Sequence, residues 1–365
     1  MGDDRRGGDH GRVGSGVPGP LLLGVLHRNE VGDLAADAVL VTGGTGFLGR
    51  ALVERLLGAG SQVKGLARSD ASADVLAGLG AEPVRGDVLD LDALAAAMRG
   101  CEVVYHAAGA NAFCLRDPLP LFEVNVQGSE NVVRAAAQAG VRRVVYTSSA
   151  ATLGEASGTI GSEESRHRGW FLSDYERSKF EAEQAVFAAA RKAGLEVISV
   201  NPASVQGPGR AAGSAKLLVD FLNGRVPAVV DSRLSLVDIA DCTEGHLLAG
   251  SRGTPGERYV LSGATLSVRE GLALLASVVG IDRPVRMLPP WLALTAATVV
   301  EALGRVRRSS SPRICRELAR TLIHGHAYDG SKATRALGLR YTPVEETLRR
   351  TVEWWLEQGL VRRRP

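Results

Sequence analysis

Cysteine is scarce in this 365-residue chain: Cys101, Cys114, Cys242 and Cys315 are scattered, with no spacing that suits zinc or frames a disulfide set. Free thiols in a reducing cytoplasm are the expectation, and no metal site is expected. Charge of one sign is also lacking. The formal net charge of +3 is too small to argue for nucleic acid, and no dense basic run is interleaved with aromatics. Arg362 to Arg364 read as a solvated tail. Long apolar runs are missing as well. Trp291 to Val300 is about half of what a membrane-spanning helix needs, and it stops at Glu301, so it reads as a core or interface helix without a membrane span. Near the start, Leu21 to Leu26 follows Arg5-Arg6 like an export signal, but the run is short, meets His27-Arg28 and lacks a small-residue cleavage site. Internal repeats are absent. What is left, 45% hydrophobic and 23% charged residues, fits a globular chain with an ample core.

Residues 1–36 are dominated by Gly, Asp and Arg up to Pro20 and show no periodicity, which reads as a mobile extension. Over the following two hundred residues, strand-like runs alternate with helix-like ones. Ala38–Leu40, Ser61–Ala67, Glu102–His106, Arg143–Thr147 and Leu195–Val200 have strand length and composition. Asp92–Met98, Leu119–Ala139 and Asp174–Ala193 are Ala-rich helical segments. This alternation predicts an α/β fold, a doubly wound parallel sheet with helices on both faces and ligands at the carboxyl ends of the strands. Past Asn201-Pro202 the elements shorten, with helices near Lys216–Leu222, Ile239–Ala249, Ser267–Val279 and Pro290–Leu303. Pro343 to Gly359 reads as a closing helix packed through Val344, Leu348, Val352 and Trp355. The organisation expected is an extension (1–36), a dinucleotide-binding domain with the catalytic residues (37–205) and a smaller α/β substrate-binding region (206–365), some of whose segments return to the sheet.

The first strand runs into Thr42-Gly43-Gly44-Thr45-Gly46-Phe47-Leu48-Gly49, and a helix follows. Such a layout sets a pyrophosphate on a helix N-terminus, where free N–H groups and the helix dipole favour negative charge. Gly43 serves the turn, Gly46 the close approach of backbone to phosphate, and Gly49 the packing of helix on strand. Glycine-rich turns are common, so a second signature matters. Tyr175 and Lys179 stand four apart on a predicted helix and project from one face. An ammonium beside a phenol eases loss of its proton, although a Tyr-x-x-x-Lys pair alone is more often a surface pair. Ser148-Ser149 closes a predicted strand where a cofactor should lie, so a hydroxyl there can hydrogen-bond a substrate carbonyl; a plain strand-end turn is the bland alternative. Asn125 interrupts an apolar helical stretch, either as a satisfied buried amide or as the anchor of a water in a proton relay.

Taken together, these segments resemble the extended short-chain dehydrogenases/reductases, the NAD-dependent epimerase/dehydratase family. The carriers are residues 42–49, Gly86-Asp87-Val88, His106-Ala107-Ala108, Asn125 to Gly128, Ser148-Ser149, Tyr175 to Lys179 and Asn201-Pro202. Within the family the likeness is to dihydroflavonol-reductase-like and hopanoid-associated sugar-epimerase-like bacterial proteins, carried by Val144 to Gly154, Glu244 to Leu248 and Gly256 to Tyr259. The resemblance implies a Rossmann-type sheet and a homodimer formed through two helices, one of them carrying Tyr175. It makes Tyr175 the general acid/base, Lys179 its partner and ribose ligand, and Ser149 the carbonyl-orienting hydroxyl, with Asn125 in the catalytic set. For the cofactor it implies Gly43, Thr45, Gly46, Phe47 and Leu48 at the phosphates, Asp87 and Val88 beside adenine, and His106, Ala107 and Ala108 along the cleft. Pro202, Ser204 and Val205 fall in the segment expected to line the nicotinamide.

Arg68 ends the second strand, where an NAD-selective site wants a carboxylate and a 2′-phosphate wants an arginine; the nearest acid is Asp70. NADP is therefore the expected cofactor, with NAD the alternative. Dehydratases of the family usually place an acid beside the hydroxyl residue, whereas here Ala150 follows Ser149. A reductase of a small, hydrophobic carbonyl compound is the leading expectation. A nucleotide-sugar epimerase holding NAD tightly, its substrate phosphates met by Arg166 or Arg210, is the runner-up. A non-catalytic dinucleotide sensor is a third reading, disfavoured because Tyr175 and Lys179 are both kept. Asn111–Leu115 and Ser157–Phe171 are the segments expected to flank the nicotinamide.

Overall fold

The computed structural model describes residues 37–306 and 314–362. The expected N-terminal extension, the apolar run at Leu21, and Arg363 and Arg364 lie outside the described residues. In chain order the helices are α1 (Phe47–Gly58), α2 (Asp70–Leu79), α3 (Leu91–Met98), α4 (Leu119–Phe122), α5 (Gly128–Gln138), α6 (Asp174–Ala193), α7 (Ser214–Leu222), α8 (Ile239–Arg252), α9 (Val268–Val279), α10 (Pro290–Val306), α11 (Arg316–His324), α12 (Ser331–Leu337) and α13 (Val344–Glu357). The strands are β1 (Ala38–Thr42), β2 (Gln62–Ala67), β3 (Glu82–Arg85), β4 (Val103–His106), β5 (Arg143–Thr147), β6 (Glu196–Pro202), β7 (Ser204–Gln206), β8 (Ala228–Val229), β9 (Arg233–Asp238), β10 (Arg258–Leu261), β11 (Ala264–Ser267) and β12 (Arg286–Met287).

Seven strands form a parallel sheet in the order β10-β6-β5-β4-β1-β2-β3. Its central strands are apolar because both faces are covered. On one face Val39, Val41 and Tyr105 pack with Leu52, Leu56 and Leu76, and with Leu247 and Leu337 from the C-terminal half. On the other, Leu40, Val104 and Val144 pack against Val132, Ala136, Ala182 and Val186 of α5 and α6. The strand order reverses between β1 and β4, so a crevice opens at their carboxyl ends beside Thr42 and His106. A second core gathers Phe221, Leu275, Leu348, Val352 and Trp355 from α7, α9 and α13, and there the closing helix packs through Leu348, Val352 and Trp355 as its spacing predicts.

The structure changes or narrows three readings of the sequence. The helix expected over Leu119–Ala139 is broken: between α4 and α5 one wide π-turn, Glu123–Gln127, inserts around the buried Asn125. Apolar periodicity cannot register that extra residue. Of the two readings of Trp291 to Val300, core or interface helix, the first is set aside, since on α10 Trp291, Val299 and Val300 are exposed and Ala297 is buried. The third strand, β3, was not anticipated; its Glu-Pro-Val-Arg sequence at a sheet edge carries little apolar signal.

Candidate active site

At the crevice, Gly43 has φ +71°, and a Cβ there would meet the backbone nitrogen of Ala108 at 2.7 Å. Only glycine lets the loop after β1 lie this close to the loop after β4. A Cβ on Gly49 would sit 2.0 Å from the Gly43 carbonyl oxygen, so α1 packs directly on the turn. Gly46 caps α1, with no side chain bonded to the cap and no acid in the first turn. Thr45 and Gly46 are exposed, and Phe47 and Leu48 half-buried. A helix start of this kind, stripped of competing carboxylates and approached by backbone alone, fits a dinucleotide diphosphate.

Ser173 caps α6 by accepting from the Glu176 amide at 3.1 Å, which sets Tyr175 and Lys179 in the first two turns. The Ser149 hydroxyl lies near enough to the Tyr175 phenol to favour its ionisation, and Ser149 Oγ accepts from the Ala151 amide at 3.3 Å. Burial raises the phenol's pKa, while the Ser149 hydroxyl and the Arg210 charge lower it. Lys179 is buried, donates to the Thr147 carbonyl at 2.8 Å and lies 4.9 Å from the centre of the Tyr146 ring. Desolvation brings its pKa down to about 8, against a smaller upward pull from Glu183. The Asn125 amide is fully engaged: Oδ1 accepts from the Ala110 amide at 2.7 Å, and Nδ2 donates to the Ala110 carbonyl and to Ser178. These are the bonds of a satisfied buried amide. A Cβ on Gly109 would touch both Asn125 Oδ1 (3.3 Å) and Lys179 Nζ (3.8 Å), so the π-turn and α6 converge on this loop. Phenol, ammonium, alcohol and amide thus meet at the strand ends, one loop away from the glycine turn.

Residues 39–262 match the model of the NAD dependent epimerase/dehydratase family. The chain belongs to that family. It is 35% identical over 339 residues to a dihydroflavonol 4-reductase-like protein of Synechocystis sp., with 90% of this chain and 97% of the relative covered. It is 34% identical over 333 residues to sterol demethylase protein B of Methylococcus capsulatus, covering 88% of this chain and 99% of that one. Among solved structures, DesIV, a dTDP-glucose 4,6-dehydratase from Streptomyces venezuelae with NAD and TYD bound, aligns with a TM-score of 0.71 at 26% identity, over 89% of this chain and 98% of DesIV. Reductase-named and epimerase-named proteins both stand among the relatives of this extended short-chain dehydrogenase/reductase.

Against this family frame, the remaining predicted residues fall into two groups. Arg68 is exposed at the end of β2, and Asp70, the competing acid, is 3.4 Å from Arg85. Asp87 accepts from the Leu89 amide, and Val88 is buried where a Cβ on Gly128 would strike it. Pro202 ends β6; Ser204 bonds Ser214, and Val205 is half-buried with its carbonyl accepting from Arg210. His106 departs from a ligand role for its ring. It is wholly buried, with Nδ1 2.7 Å from Thr42 Oγ1 and Nε2 2.9 Å from Ser129 Oγ, and burial drives its pKa down to about 3. A neutral imidazole ties β1 to β4 and so positions the Ala107 and Ala108 backbone. In the expected substrate segments, Phe113 tilts against Tyr175 at 5.6 Å, whereas Arg168 is sequestered by a buried ion pair with Glu176 and Arg166 is exposed.

Two features escaped the sequence reading. Cys114 and Cys315 form a disulfide, Cα atoms 5.6 Å apart across a separation of 201 residues; the expectation of four free thiols holds only for Cys101 and Cys242. Chain spacing carries no trace of so distant a pair, and the argument for a reducing compartment loses its support. Behind Ser149 lies a buried carboxylate, Glu183. Its Oε2 accepts from Asn201 (2.6 Å), Ser199 (3.0 Å) and Thr152 (3.4 Å), and Oε1 from Arg258 (3.1 Å). Asn201 and Thr152 in turn donate to the Ser149 carbonyl, which fixes the turn that presents its hydroxyl. A mid-helix Glu among other charged residues gives no sequence signal of this role.

Proposed function

We propose that the protein is an NADP(H)-dependent reductase of a small hydrophobic carbonyl compound, running in reverse as an alcohol dehydrogenase. The observation that carries this reading is the convergence of the Ser149 hydroxyl, the Tyr175 phenol and the buried Lys179 ammonium beside a glycine-built diphosphate cradle. Residues 43–48 hold the diphosphate, Asp87 and Val88 border adenine, Lys179 binds the ribose, and Arg68 meets a 2′-phosphate. Reduced nicotinamide, when bound, supplies the hydride. The chain's part is to set the carbonyl oxygen between the two hydroxyls: Ser149 donates a hydrogen bond to it, and Tyr175 delivers the proton. Phe113 beside Tyr175 and the disulfide-anchored loop around it favour an apolar substrate, in keeping with the sterol in one relative's name.

Tyr175→Phe should lower NADPH oxidation across a panel of ketones and aldehydes by orders of magnitude while nucleotide affinity stays near that of the native protein. Near-native turnover would refute the assignment. An epimerase reading draws on Arg210, whose guanidinium lies 5.5 Å from the Phe47 ring centre and whose charge reaches Tyr175; it requires NAD retained through purification and thermal protection by UDP. A homodimer through two helices, one of them α6, belongs to the same proposal, and light scattering reads its mass.

A further inference from the structure

We propose that Glu155, His324 and His326 form a binding site for a divalent cation of the zinc class, with three protein ligands and one open position. Their ligand atoms all lie within 4.8 Å of one another. Glu155 Oε1 is 2.7 Å from His326 Nδ1 and 3.6 Å from His324 Nε2. The Glu155 and His324 side chains are 2% and 5% exposed, and both Glu155 Oε2 and His324 Nε2 are buried without a hydrogen-bond partner. A buried carboxylate oxygen and a buried imidazole nitrogen left unsatisfied within one cluster are unfavourable. A cation satisfies both at once, and two imidazoles with one carboxylate are the donor set of open zinc sites.

The backbone is shaped for this convergence. Gly325, φ +64°, separates the two histidines, and a Cβ there would sit 2.7 Å from the Arg233 backbone nitrogen. His326 N donates to the Arg233 carbonyl, and Tyr328 N to Ser235 Oγ, so the segment is held against β9. Tyr328 Oη stands 2.9 Å from His326 Nδ1, and Arg168, which donates to the Glu155 carbonyl, is neutralised by Glu176. Glu155 follows the short turn Ala150–Leu153 that Ser149 caps. The cation would therefore pin the end of α11 to the turn presenting Ser149, as the disulfide pins its start to the Cys114 loop.

The test uses the full chain, stripped with a chelator and titrated with Zn²⁺ by calorimetry, and with Co²⁺ by visible absorption. Expected are one high-affinity ion per chain, the intense visible bands of four-coordinate Co²⁺, and a rise in Tm on loading. Affinity should fall about 100-fold in His324→Ala and in Glu155→Gln. Should either variant fail to fold, the cobalt spectrum of the native chain decides, because octahedral, weakly absorbing Co²⁺ contradicts a His₂Glu site. Absence of saturable binding, or equal affinity in native protein and folded His324→Ala, overturns the proposal.

Discussion

Lys179 places function and stability in opposition. Its ammonium is buried, and desolvation lowers its pKa from 10.5 to about 8. A unit of pKa is about 1.4 kcal/mol, so keeping the charged form in the fold costs about 3 kcal/mol at neutral pH. Lys179→Met keeps the apolar stem and removes the charge, but takes the charged donor from the Thr147 carbonyl, which costs about 2 kcal/mol. The nucleotide-free variant should thus be more stable than the native chain by about 1 kcal/mol, a Tm increase of about 2 °C, while activity collapses. The pH dependence carries the sign. Between pH 8 and 10.5 the unfolded chain binds a proton that the folded chain has released, so native stability rises with pH across that window and the variant's advantage shrinks. Calorimetric scans of both proteins at neutral and alkaline pH measure it. A variant less stable at neutral pH, or an advantage independent of pH, refutes the reasoning.

Other outcomes follow from the same geometry. Arg68→Ala should raise the KM for NADPH about 10- to 100-fold, the worth of a charge-assisted hydrogen bond, and leave NADH little affected; steady-state kinetics with both cofactors tests this. Glu183→Gln breaks the buried network behind Ser149 and should cost about 3 kcal/mol in denaturant unfolding, with kcat reduced more than nucleotide affinity. His106 and His246 are buried neutral, with pKa values brought down to about 3 and about 4 chiefly by desolvation. Below 6.5 the unfolded chain takes up protons that the folded chain refuses, so stability should fall as pH drops, by about 4 kcal/mol on reaching about pH 5. His246→Gln should roughly halve that slope, and a native midpoint flat over this range would contradict the assignment of both imidazoles.

The sheet was legible because its strands are continuous apolar runs and its helices keep a regular period, both consequences of burial on two faces or one. Residues 41–49 could be read because close backbone approach admits only glycine, and Tyr175 and Lys179 because one helical turn sets them on one face. What the sequence hid depends on distance along the chain or on a change of backbone period. Cys114 with Cys315, and Glu155 with His326, meet only after folding. The π-turn around Asn125 shifts the register of an otherwise regular helix. His106 matches a family motif, yet its ring serves the join between β1 and β4, a distinction visible only in its hydrogen bonds.

The most direct measurement is a crystal structure of the protein with NADPH. The account predicts the diphosphate at the start of α1, the 2′-phosphate against Arg68, and the nicotinamide ring facing the Tyr175 and Ser149 hydroxyls with Lys179 on its ribose. A nicotinamide bound away from those hydroxyls, or one separated from them by protein side chains, would contradict it.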